Sequence, residues 1–245
     1  MQKFIIDSKE IEMSKIHIKG QDARHIKKVL RLKLDDDLSM TDGRGKDFCG
    51  KIIGLTQESV EVVVTEEKKS ITESDLDLTL CTAMLKHKKM DEVVKQISQL
   101  GVTQWLPFFS KRSIPMSNPK KQARQMERWQ SIARESLKQC RRSCLVKLHP
   151  PMGFESMLDF ANPYPVKIAF WEEAARPLRE LPAVEKTRAI VLVGPEGGFD
   201  PGEISQAREA GFLSYTLGPR ILRAETAAVL GAGLVQYLLG DMGGR

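Results

Sequence analysis

The chain has 245 residues, 41% hydrophobic and 29% charged, an ordinary balance for a globular protein of one large domain or two smaller ones. Its longest apolar runs, AIVLV and AAVLGAGLVQYLL, fall short of the roughly 20 residues that span a bilayer, and MQKFIIDSKEIEM meets acids at once. Neither a membrane span nor a secretory signal is therefore expected, and a cytoplasmic location follows. The net charge of +6 is bunched in RHIKKVLRLK, KHKK, SKRSIPMSNPKKQARQMER and KQCRRSCLVK, the footprint of a polyanionic partner. Aromatic residues make up only 6%, so a nucleic acid would be gripped through phosphates and shape more than by base stacking.

The first 70 residues read as a small β-rich unit. Short strands are predicted at KFIID and IHI, a helix at DARHIKKVLRL, then strands at LSMTD, FCGKIIGL and SVEVVVTE, with DGRG as a turn. This is the pattern of a compact barrel or a partly open sheet. The polar stretch TEEKKSITESD (65–75) has no apolar period and reads as a linker.

Beyond it, strands alternate with helices. LDLTLCTAML, TQWLPFF, CLVKL, VKIAFW, RAIVLVG and SYTLG are predicted strands. MDEVVKQISQLG is a helix with Met90, Val93, Val94, Ile97 and Leu100 on one face and Gly101 as its stop. Further helices are expected over 120–141, over PGEISQAREAG between Pro201 and Gly211, and over ETAAVLGAGLVQYLL. The alternation predicts an α/β unit, a mostly parallel sheet covered on both faces. Cys49, Cys81, Cys140 and Cys144 include one close pair, CRRSC. Half a metal site is one reading of that spacing, but no second Cys or His pair accompanies it. Reduced thiols are expected, with no disulfide and no metal.

Two glycine-rich segments follow predicted strands. GPEGG after AIVLV occupies a strand-to-helix turn at a strand's carboxyl end, where open α/β sheets bind ligands. Neither GxxxxGK[ST] nor GxGxxG occurs, which disfavours a P-loop enzyme and a nicotinamide dehydrogenase. LGPRILRAETAA (217–228) is a second loop turning into a helix, and the pair points to one pocket instead of two separate tight turns. GAG at 231–233 lies late in the last helix and reads as close helix packing.

VLVGPEGGFDPGEI followed by LGPRILRAETAA closely resembles the signature of the bacterial 16S ribosomal RNA uracil-N3 methyltransferases, S-adenosylmethionine enzymes of the SPOUT superfamily. HIKKVLR (25–31), KQISQLGV (95–102), SKRS (110–113) and ERWQSIARESLKQCRR (127–142) are similar to further segments of that family. Asp35 stands where the family usually has Gly, and Gln99 where it usually has Glu. The resemblance implies a PUA-like β-barrel that grips RNA over residues 1–70. A SPOUT α/β domain with a deep trefoil knot would occupy 71–245. It implies S-adenosyl-L-methionine as cofactor, cradled by Leu192, Gly194, Pro195, Gly197 and Gly198 of the first loop. Leu217, Gly218, Ile221, Leu222, Arg223 and Ala227 of the second would complete the cradle, with the adenine on main-chain groups of 217–223. A homodimer is implied as well, acting on N3 of uridine 1498 in 16S rRNA within the small ribosomal subunit.

Such a transfer needs the weakly acidic N3 proton removed or the anionic base stabilised. Arg223 is the candidate cation, unless it pairs with Glu196 or Glu225 and fixes the loop. Glu196 is a candidate base, or a cap on amides of its own turn. Glu225 falls in the first turn of the last helix, where the dipole favours an acid anyway. Arg112 is expected to meet RNA, to reach a partner subunit's site, or to stay solvated. Lys27, Lys28 and Arg31 are candidate phosphate contacts, and His25 either contacts RNA or packs in the barrel. Two other readings stay open: a SPOUT transferase of another base, and a ribosome-associated RNA-binding protein without turnover.

Overall fold

The computed structural model describes residues 3–86, 88–115, 118–181 and 188–244. They form two compact units, Met1–Glu73 with Arg134–Leu145, and Ser74–Ala133 with Val146–Arg245. Among the described residues no helix is long and apolar enough to cross a membrane.

The first unit is a five-stranded sheet built from β1 (Lys3–Ile5), β2 (Lys15–Lys19), β3 (Asp37–Thr41), β4 (Lys46–Leu55) and β5 (Ser59–Lys69). Its order is β1-β3-β4-β5-β2, with β1 parallel to β3 and every other pairing antiparallel. Alternation drives it. Phe48 and Ile52 of β4, Val60 and Val62 of β5, and Ile16 and Ile18 of β2 turn to one core with Phe4, Leu38 and Met40. Full burial of each such side chain contributes roughly 1.5–3 kcal/mol. Gly50 of β4 permits the closest approach: a Cβ there would stand 2.5 Å from the Val63 carbonyl oxygen. The helix after β2, α1 (Gly20–Arg24), continues as one wider π-type turn over His25–Val29 and drops Ile26 into the core.

The stretch expected to be a linker is partly strand. Thr65–Lys69 belong to β5, and Glu66 to Lys69 pair with Lys46–Cys49 of β4. Both faces of this extension are wet, so no alternation announces it. Lys46–Glu67 and Lys68–Glu66 ion pairs decorate it instead. Glu73 then closes the unit. Its carboxylate accepts from the Arg142 guanidinium at 2.8 Å and from the Ser143 and Cys144 amides at 2.6 and 3.0 Å. Beside it, Lys3 Nζ sits 2.8 Å from Asp47 Oδ1 and donates to Ser143 Oγ at 2.6 Å. The CRRSC segment thus binds through its arginine, serine and backbone. Burial, helped by Glu73, pushes the Cys144 thiol up to about 11.

The second unit holds a seven-stranded parallel sheet. Its strands are β6 (Asp77–Ala83), β7 (Gln104–Phe109), β8 (Lys147–Leu148), β9 (Met152–Gly153), β10 (Val166–Phe170), β11 (Arg188–Val193) and β12 (Leu213–Tyr215). The order is β12-β10-β11-β6-β7-β8, with β9 also on β7. One face is covered by α2 (Lys89–Ile97), α3 (Pro119–Cys140) and α6 (Ala224–Leu239). The other is covered by α4 (Phe154–Ala161) and α5 (Pro201–Glu209). The predicted two-sided parallel sheet is therefore present. Its strands carry apolar residues toward both layers: Leu78 and Leu80 of β6 face one, Cys81 and Ala83 the other. Helix α4 and strand β9 were not predicted; FESMLDFA is a helix of only eight residues whose apolar face is Phe154, Met157 and Ala161. Of the GAG glycines in α6, Gly231 packs closely, but against strand β10, where a Cβ would overlap the Phe170 ring, and a Cβ on Gly233 would meet open space.

Arg142 is only 4% exposed, so removing the Glu73 carboxylate takes a charge partner from a buried cation. Glu73→Ala is expected to destabilise the protein by about 3 kcal/mol, read as a lowered urea midpoint; an unchanged midpoint would remove Glu73 from the account of this unit.

Candidate active site

Three neighbouring strands end side by side. Phe170 at the end of β10 is in register with Val193 of β11 on one side and Tyr215 of β12 on the other. The chain leaves β10 as Trp171–Glu172, β11 as the first glycine loop, and β12 as the second. Because β10 lies between strands that follow it in sequence, the order reverses here, and such a crevice is where α/β sheets take ligands. A cleft opens between these segments. Of the expected cofactor positions, Gly194, Pro195, Gly198, Leu217, Gly218, Ile221, Leu222 and Ala227 line it, as does Glu196. Leu192 is instead fully buried beneath α4 and α5, Gly197 faces Arg112, and Arg223 is the N-cap of α6. Phe170, Trp171, Glu172, Val193, Thr216 and Ala224 also line it and are not among the expected positions, and Arg220 lines it from within the 217–223 stretch. The predicted strand VKIAFW ends at Trp171 and Glu172 follows at its carboxyl end, so the rule that found the glycine loops would have found this segment too.

The first loop is shaped by close approach. Gly198 has φ +69°, and a Cβ on it would overlap the Glu172 carboxylate. A Cβ on Gly194 would stand 2.9 Å from the Phe199 ring. Phe199 is the loop's anchor: it is buried and stacks parallel to Phe108 with centroids 6.5 Å apart. Asp200 and Glu203 then cap α5 reciprocally, Asp200 Oδ1 accepting from the Gly202 amide and Glu203 Oε2 from the Asp200 amide. The SKRS segment docks on this cap: the Lys111 amide donates to Glu203 Oε1 at 2.9 Å and Lys111 Nζ lies 2.9 Å from Asp200 Oδ1. Arg112 donates to the Gly197 carbonyl at 3.1 Å and stands 3.9 Å from Asp200, its side chain half exposed.

The carboxylates are held by an unexpected residue. Lys89 Nζ lies 3.2 Å from Glu196 Oε1 and 3.2 Å from Glu225 Oε2. Glu196 also accepts from the Lys86 amide at 3.2 Å, a cap on a different loop from its own. Partial burial works against the charge of Glu196, but the Lys86 amide, its own amide and the Lys89 ammonium outweigh it and hold the carboxyl below the usual range. It is ionised at neutral pH. Both partners that the sequence offered to Arg223 are therefore taken by Lys89. Among the described residues Arg223 and Arg220 make no ion pair, and both are exposed.

The candidate RNA contacts lie in the first unit. His25 packs edge-on against Phe4, with centroids 6.1 Å apart. Lys27 Nζ donates to the Thr56 and Gln57 carbonyls at 2.6 and 2.7 Å. Lys28 and Arg31 are exposed, and Arg31 takes a left-handed φ of +55° as the helical segment ends.

A family model described as an RNA methyltransferase domain matches residues 72–236, and one described as an RNA methyltransferase PUA domain matches residues 18–65. The chain is 33% identical over 178 residues to the ribosomal RNA small subunit methyltransferase E of Mesomycoplasma hyopneumoniae (strain 232), covering 73% of this chain and 77% of that one. It is 30% identical over 223 residues to the protein of the same name from Buchnera aphidicola subsp. Schizaphis graminum (strain Sg), covering 89% and 88%. Among solved structures it is similar to a ribosomal RNA small subunit methyltransferase E from Neisseria gonorrhoeae bound to S-adenosyl methionine. That match has a TM-score of 0.87 and 29% identity and covers 98% and 99% of the two chains. The glycine-lined cleft lies within the stretch that the methyltransferase model matches, and the chain belongs to the ribosomal RNA small subunit methyltransferase E family of RNA methyltransferases.

Proposed function

We propose that this chain transfers the methyl group of S-adenosyl-L-methionine to N3 of a uridine, uridine 1498, in 16S rRNA, as a cytoplasmic homodimer acting on the small ribosomal subunit. The cleft carries the reading. Gly218, on the cleft lining, has φ +112°, a conformation that glycine alone adopts readily, and a Cβ there would meet only open space. Among the described residues no protein group hydrogen-bonds to the main chain of Leu217, Ile221 or Leu222. Backbone donors and acceptors left over beside apolar side chains are what a flat heteroaromatic such as adenine requires. The Gly194–Gly198 loop and the Leu217–Arg223 loop would hold the cofactor.

Bound there, S-adenosylmethionine supplies a methyl group on a positively charged sulfur. The protein has to present a deprotonated uracil N3 in line with it, which positioning rewards strongly. Arg223, in no ion pair among the described residues and at the end of the second loop, would stabilise negative charge on the uracil ring. Glu196, ionised and lining the cleft with only its Oε1 facing Lys86 and Lys89, would take the N3 proton, directly or through water. Arg112 braces the first loop through Gly197 and keeps half of its side chain exposed toward an RNA. Residues 1–70 would grip RNA, with His25, Lys27, Lys28 and Arg31 at that surface, and 71–245 would carry the transfer. Exposed Leu230, Tyr237 and Leu238 on α6 support pairing with a second copy. Placement of α6 beside α2, β6 and β11, inward of the edge strand β12 that precedes it, supports the family's trefoil knot.

Incubation with labelled cofactor should place label as 3-methyluridine in small subunits lacking the modification. A different methylated nucleoside would replace the base, and binding without transfer would leave an RNA-binding protein. Gly198→Val should raise the Kd for S-adenosylmethionine by at least about tenfold, because the side chain is strained at positive φ and collides with Glu172; calorimetry reads it. Arg223→Ala should lower kcat by about two orders of magnitude, far more than it raises the cofactor KM; equal effects on both would make it a binding residue alone. Lys28→Ala and Arg31→Ala should each weaken RNA binding and flatten its salt dependence by about one phosphate contact, leaving kcat at saturating RNA unchanged.

A further inference from the structure

The run KHKK contributes to the basic charge that points to RNA, yet its last lysine is turned away from that use. Lys86 and Lys88 are exposed, whereas Lys89, at the start of α2, is partly buried and lies against two carboxylates. Those carboxylates belong to the two halves of the cleft. Glu196 is inside the first glycine loop, and Glu225 is in the first turn of α6, directly after the second. Each is 3.2 Å from the same ammonium, so the two acids are close neighbours with a single cation between them. The Glu225 oxygen that faces Lys89 is buried from solvent. Without Lys89 it would be an uncompensated buried charge beside a second one of the same sign. The cleft would then be free to widen where the two loops meet.

We infer that Lys89 is a positioning residue of the cofactor site, a one-cation clasp that holds the Glu196 loop against the head of α6 and so fixes the spacing of the two glycine loops. It does not line the cleft itself and acts through Glu196 and Glu225. The inference rests on the reading that S-adenosylmethionine occupies this cleft. It separates Lys89 from Lys86 and Lys88 of KHKK: those two remain available to a polyanion, and Lys89 sets the cofactor affinity.

The test compares the full-length wild type with Lys89→Met, Lys89→Arg and the double variant Lys89→Met/Glu225→Gln. Calorimetry gives the Kd for S-adenosylmethionine, and steady-state kinetics give KM for cofactor and for small subunits. Lys89→Met should raise the cofactor Kd and KM by about tenfold, the scale of losing a paired charge at a closely fitted site, and leave the KM for RNA unchanged. Lys89→Arg should return the Kd to within about threefold of wild type, since a second cation can hold both acids. Removing the Glu225 charge in the Met background should recover part of the loss, so that the two changes are not additive. If Lys89→Met does not fold, Lys89→Gln carries the same comparison. An unchanged cofactor Kd in the neutral variant overturns the clasp, and so does a rise confined to the RNA KM, which would return Lys89 to the RNA surface. No binding by the wild type would overturn the cofactor site itself, and the clasp with it.

Discussion

Parallel pairing of β10 with both β11 and β12 is the constraint on which the site depends. It sets three carboxyl ends in one row, at Phe170, Val193 and Tyr215, and every segment lining the cleft leaves from that row. The pairing is itself secured by burial on both faces. Ile168, Ala169, Ile190, Val191 and Leu192 are fully enclosed between the two helical layers, so a slip of one residue would exchange the two faces of each strand. A rigid floor is what allows the loops above it to be mostly backbone.

Those loops are fixed by a few anchors. Phe199 sinks into the core beside Phe108, the Asp200–Glu203 cap starts α5 immediately afterwards, and Lys111 and Arg112 brace the same turn from another loop. Between the anchors, glycines bring the chain near Glu172 and Phe199 without side chains in the way. Charge is arranged with the same economy. Lys89 stands within ion-pair distance of Glu196 and Glu225, and among the described residues the arginines of the second loop make no ion pair, the condition under which a cation can respond to a substrate.

The first unit solves a different problem. Its apolar core is small, and buried ion pairs supplement it: Glu73 with Arg142, and Lys3 with Asp47. Such pairs add specificity of arrangement more than net stability. They draw residues 134–145, far along the chain, into the same compact unit as the β-strands.

Much of this was legible in the sequence. Apolar alternation in SVEVVVTE and FCGKIIGL, the three- and four-residue steps of MDEVVKQISQLG, and the Pro201 and Gly211 boundaries of a helix all report local geometry that neighbouring residues impose directly. The two glycine loops pointed to one pocket because they follow neighbouring strands and both carry charged residues, whereas either alone reads as a tight turn. Less visible were β5 beyond Val64, whose extension has two polar faces, and α4, too short to establish a period. Partnership was decided only by tertiary structure. Lys27 was read as a phosphate contact and Arg223 as a possible partner of Glu196. The fold also bends Lys27 onto two carbonyls and places Lys89, more than a hundred residues upstream, between Glu196 and Glu225. The sequence by itself determined which segments are strands, helices and bare loops, because those follow from local sterics and burial. Which charges meet was left to the sheet, because only its strand order brings distant residues within 4 Å.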